Sequence, residues 1–200
     1  MLHEWYWIVV AVVVLGGYVY ATSSRLDGLH ARVDAARAGL DAQLLRRSAV
    51  TLEIAASGLL DPATSVLLAS AAHEARTAEP DEREYQESRL TVALRATFDD
   101  PDVAATLAVE PSGLGLLVEL EAAISKVTLA RRFCNDGVRA TRALRRHRIV
   151  RWLRLSGRVP LPAFFEMDDV PPPSLMRLPI SSSGGSAGGL NGSGPGPLAT

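Results

Sequence analysis

The sequence predicts an all-α protein: an N-terminal transmembrane helix, then an antiparallel helical bundle of three long segments with shorter helices between them. Three observations carry that prediction. Apolar residues make up 48% of the chain and aromatic ones 6%, with Ala, Leu and Val dominant, a mix that suits packed helices better than pleated sheet. Residues 5–24, "WYWIVVAVVVLGGYVYATSS", contain no charge. Directly after them Leu26, Leu29, Val33, Ala36 and Leu40 recur at alternating three- and four-residue intervals, with Leu44 next, the seam of a heptad-type, coiled-coil helix.

The uncharged stretch has the length needed to cross a hydrocarbon core of roughly 30 Å as a helix. Trp5, Tyr6 and Trp7 stand at one end of it and Tyr18 and Tyr20 at the other, where interfacial aromatic belts sit. A cleavable signal peptide and a buried core helix are the alternatives. The leader "MLHE" has an acid and no Lys or Arg, against a secretory signal. Positive charge follows the span instead, at Arg25, Arg32, Arg37, Arg46 and Arg47. The positive-inside rule therefore predicts a single-pass protein of the cell membrane, with residues 1–4 outside and the body cytoplasmic.

The first helix is expected to continue straight out of the membrane to about Ser57. "SGLLDP" then supplies a stop at Gly58 and a new start at Asp61-Pro62, a cap followed by a first helical residue. A second helix over 63–77 and a third over 81–98 follow, separated by "AEPDE". Residues 99–112, with Pro101 and Pro111, read as a connection with one short turn of helix. The last long helix starts near Ser112, and its apolar seam is Leu117, Leu120, Ile124, Val127, Cys134 and Val138. The expected body spans 25–166. Residues 167–200 are Pro-, Gly- and Ser-rich and are expected to be disordered, because they bury too little to offset chain entropy.

The residues exclude more functions than they suggest. His3, His30, His73 and His147 are scattered, and "HEAR" at 73–76 lacks the second His of a zinc helix. There is no Gly-rich phosphate loop, no GxSxG elbow and no Glu-x-x-His pair. A single cysteine, Cys134, excludes a disulfide framework and lies on the apolar seam, as a buried thiol would. No catalytic residue, cofactor or metal ligand is predicted, and the protein is expected not to be an enzyme. Residues 139–158 carry eight Arg and no acid. They suit a solvated helix end, an anionic lipid surface or, last in that order, nucleic-acid phosphates. Arg145, Arg146, Arg148, Arg151, Trp152 and Arg154 are the candidate lipid contacts.

"LDAQLLRR" (40–47), "ELEAAISKVTLARRFCNDGV" (119–138) and "FFE" (164–166), behind an N-terminal anchor, resemble the LemA family of bacterial membrane proteins. Arg37, Leu52, Glu53, Ile124, Cys134 and Gly137 depart from the family pattern. The resemblance implies a helical bundle on one span with the short N-terminus outside, and it implies no activity. It also places Asn135, Asp136 and Gly137, which would otherwise signal a turn, inside a long helix. One of the two polar residues is then expected to meet the first helix in a structural polar cluster drawn from Asp41, Gln43, Arg46, Arg47, Arg131, Arg132, Asn135 and Asp136. Gly137, beside a cysteine where the family has Tyr, predicts looser packing.

The expected function is that of a membrane-anchored interaction or scaffold module, meeting another protein or its own copies through a helical face. A module binding anionic lipid through 139–158 is the alternative. Topology bears on it: an odd number of long bundle segments leaves the arginines far from the anchor, and an even number returns them.

Overall fold

The computed structural model describes residues 2–146 and 161–175. Among them are five α-helices: α1 (Leu2–Ala56), α2 (Pro62–Thr77), α3 (Arg83–Thr97), α4 (Pro101–Val109) and α5 (Pro111–Arg145). The chain is all-α, and its helices form a bundle.

Helix α1 is 55 residues long, about 80 Å at 1.5 Å per residue. It ends where Ser57 turns its hydroxyl back onto the Ile54 carbonyl at 2.7 Å and Gly58 takes φ of 74°. That left-handed conformation favours glycine and closes helices. Asp61 then caps α2, its carboxylate accepting the N–H groups of Ala63 at 3.0 Å and Thr64 at 3.1 Å. Hydrogen bonding from the Thr64 side chain, then from the Thr64 N–H, holds its carboxyl below the ordinary range. Asp100 repeats the device on α4, accepting from Asp102 at 2.9 Å ahead of Pro101. The expected single turn in 99–112 is thus a nine-residue helix. Glu110, not Ser112, is the cap position of α5, with Pro111 as its first residue.

Side-chain pairs set the directions. Arg46 of α1 is ion-paired with Glu119 of α5, and Val33 lies against Gly137, so these two helices run antiparallel. Asp41 meets Arg83 and Arg47 meets Glu87, so α3 runs in the same sense as α1. The arms therefore alternate as α1, α2, α3 and α5, with α4 as the link. Four arms stand where three long segments were expected, because the two shorter helices on either side of the expected break at 78–82 each run as a full arm, α2 and α3 forming a hairpin. The last helix consequently comes back to residues 25–32 of α1.

Most of the core lies at the far end. Val50 and Ile54 of α1 pack there with Leu68, Leu90, Leu94, Phe98, Leu107, Leu117 and Leu120. A second cluster of Leu40, Leu44, Val127 and Cys134 fills the space between α1 and α5. Gly137 does not loosen this contact. A Cβ there would stand 3.3 Å from Val33 Cγ2, so the missing side chain lets α1 approach closely.

Residues 5–21 of α1 are uncharged, and all except Val10 and Val19 are exposed. Trp5 is 68% exposed and Val13 and Val14 each 67%. Among the described residues no helix is long and apolar enough to cross a membrane. The side chains of Thr22 and Ser23, inside the expected span, fall outside the described residues.

Candidate functional site

Two features stand out: a strap laid across the bundle, and the basic end of α5. Residues 161–175, irregular to Pro172 and closing in a turn at 173–175, lie over a face made by α1, α3 and α5. Asn135 explains much of it. Its side-chain amide presents a donor group and an acceptor group, and both meet a single residue of the strap. Nδ2 donates to the Phe165 carbonyl at 3.1 Å, and Oδ1 accepts the Phe165 N–H at 2.9 Å. Arg37 donates to the Ala163 carbonyl at 3.0 Å and Arg142 to that of Pro162 at 2.9 Å. The Arg142 guanidinium also lies 4.5 Å from the centre of the Phe164 ring, a cation–π distance.

Further along, the contacts become charged. Phe165 and Met167 pack on the Leu40–Cys134 cluster. Asp168 pairs with Arg95 at 2.8 Å while Ser88 Oγ accepts its N–H at 3.0 Å. Hydrogen bonding to Arg95, then to the Val170 N–H, holds the Asp168 carboxyl below its ordinary range. Asp169 pairs with Arg131 at 2.8 Å. Ser174 bonds the Phe98 carbonyl, and Leu175 is fully buried in the main core. Residues 167–175, which composition assigned to a disordered tail, are therefore seated on the bundle. The reason is local: Pro171, Pro172 and Pro173 restrict the unfolded chain, which lowers the entropy lost on docking. Residues 176–200 lie outside the described residues.

The expected polar cluster is dispersed. Arg47 is buried with Glu87 and Thr91 of α3. Asp41 faces Arg83 at 3.6 Å, Arg46 pairs with Glu119, and Arg131 pairs with Asp169. Asp136 makes an exposed pair with Arg139 at 2.6 Å. Gln43 is half-buried and Arg132 exposed. The hydrogen bonds of Asn135 go to Phe165 and the ion pair of Asp136 to Arg139, not to α1. The apolar seam of α5, through Cys134 and Val138, is what faces α1. Successive helical residues are rotated by about 100°, so 135 and 136 point elsewhere.

Sequence reasoning missed Glu87 and Thr91, although a signal existed. Val33, Leu40, Arg47 and Ile54 share one heptad position, and an arginine in that seam requires a buried partner. Cys134 is buried, as expected, and burial pushes its thiol up from the ordinary value even with Arg37 nearby.

Of the candidate lipid contacts, Arg145 closes α5 and Arg146 caps it, exposed. Arg148, Arg151, Trp152 and Arg154 lie outside the described residues. Where α5 ends, an open groove of about 490 Å³ separates it from α1, lined by Arg25, Gly28, Leu29 and Arg32 on one side and Ala143 and Leu144 on the other. Comparison of the chain with protein-family models, with curated proteins and with solved structures finds no match.

Proposed function

We propose that this protein is a membrane-tethered, non-enzymatic interaction module, a divergent relative of the LemA family. In this reading residues 5–24 form its single span and the bundle presents a helical face to a protein partner or to a second copy. The observation that carries the reading is the uncharged, exposed arm of α1, 5–21, continuous with the helix that forms the spine of the bundle. Exposed Trp, Tyr, Val and Ile side chains in such a run are costly in water and favourable in lipid. With the arginines following the span, the body lies in the cytoplasm.

A second reading, contact with anionic lipid through 139–158, is supported by the return of α5 to residues 25–32. An arm that comes back to the anchor brings its arginines to the leaflet the body faces.

The test is topology. In a Cys134→Ser chain carrying Ser182→Cys, a membrane-impermeant maleimide is applied to intact and to lysed cells. Labelling of membrane-pelleted protein only after lysis is expected. Labelling in intact cells overturns the orientation, and release of the chain by alkaline carbonate overturns the anchor.

A further inference from the structure

We infer that the groove between α1 and α5, beside the expected span, is a binding site for one anionic phospholipid. The inference rests on the membrane-anchor reading above and deepens it.

The groove arises from small residues. At Gly137 the two helices touch closely. One to two turns further on, Gly28 on α1 faces Ala143 on α5, and neither fills the space between. A Cβ built on Gly28 meets nothing within 4 Å. Leu29 and Leu144 give the groove an apolar floor, and Arg25 and Arg32 stand on its rim. These two arginines are seven residues apart, about 10 Å along the axis, so both long side chains can reach a phosphate lying between them. Arg146 adds a further exposed cation where α5 ends.

An apolar floor with a basic rim is the complement of a phospholipid, whose phosphate seeks cations while its first acyl carbons seek apolar surface. Basic pockets beside transmembrane helices take anionic head groups in this way. Position selects the lipid over a soluble anion. Arg25 directly follows the expected span, so the groove opens at the depth of the head groups.

The full chain is reconstituted in bilayer nanodiscs of phosphatidylcholine, with and without phosphatidylglycerol, and the lipid retained after mild detergent extraction is counted by native mass spectrometry. One phosphatidylglycerol per chain is expected. Arg25→Gln with Arg32→Gln should weaken retention about 30-fold, from about 1 kcal/mol for each arginine near the surface. Gly28→Leu with Ala143→Phe fills the groove without changing charge and should abolish retention, while helicity and entry into phosphatidylcholine bilayers stay unchanged. A filled variant that retains phosphatidylglycerol like the parent overturns the site, because binding is then diffuse. Displacement of the lipid by inorganic phosphate overturns the assignment to phospholipid. A parent chain that enters no bilayer defeats the anchor reading, whereas one that enters both kinds of disc and retains no phosphatidylglycerol defeats the site alone.

Discussion

Removing the Glu87 carboxylate should be among the most damaging single changes to this bundle, and removing Arg47 with it should undo most of the damage. Both residues are 1% exposed. The guanidinium is held by Glu87 Oε2 at 2.6 Å, by the Glu87 carbonyl at 3.1 Å and by Thr91 Oγ1 at 3.0 Å, while among the described residues its Nε finds no partner. Burial pushes the Glu87 carboxyl above its ordinary value of 4.5, against the pull of Arg47. The ion pair thus fails to offset fully the cost of taking two charges out of water. Glu87→Leu strands the arginine and should cost about 3–5 kcal/mol. For a chain of this size that lowers Tm by roughly 6–20 °C. The double variant Arg47→Met with Glu87→Leu should lie near the parent or above it, a coupling of about 3 kcal/mol or more. Circular dichroism melts of the detergent-solubilised chain measure all three. A single variant costing under about 1 kcal/mol, or a double variant costing the sum of the two singles, refutes the reasoning. The pH dependence has a definite sign. The folded value of Glu87 is raised, so its contribution is complete below pH 4.5 and is lost as pH rises through the folded value. Glu87→Gln should remove that dependence.

Two further changes probe the packing. Gly113→Ala should destabilise the chain even though Ala is favoured in helices by about 1 kcal/mol, because a Cβ there would collide with the backbone carbonyl oxygen of Leu107, which cannot swing aside; a lowered Tm checks this, and an unchanged one contradicts it. Leu175→Ala should cost about 2–5 kcal/mol as a fully buried leucine. It should also speed amide hydrogen exchange at Phe165 and Asp168, whose N–H groups are held by Asn135 and Ser88, whereas exchange confined to the end of the strap would mean that its parts dock independently.

Much of the fold was legible because it is written in local signals. The three- and four-residue alternation ran α1 through to its end, Gly58 stopped it, and Asp61-Pro62 restarted the chain where α2 begins. The same Asp-Pro signal stands at Asp100-Pro101. The segment after it reads in sequence as a connection with one short turn, and α4 is nevertheless a nine-residue helix. Arm count was harder. The break between α2 and α3 is only a turn, but it reverses the chain once more and so decides which end of the bundle receives the arginines of α5.

The strap was illegible for a different reason. What binds it is pairing between side chains and backbone, and a carbonyl carries no sequence signature. Asn135 could be recognised as out of place in a helix, yet its partner is the main chain of Phe165, thirty residues on, where every residue type offers the same N–H and C=O. Periodicity finds faces that meet other helices, and composition finds segments that bury little on their own. A proline-rich segment that borrows a finished surface escapes both. Only the second half of the strap carried hints, in the acids Asp168 and Asp169 and in Leu175. Each is a common residue whose meaning depends on Arg95, Arg131 and the core at Phe98 standing within reach. Asn135 thus reads as a turn residue in sequence and acts as one in structure, except that the backbone it satisfies belongs to another part of the chain.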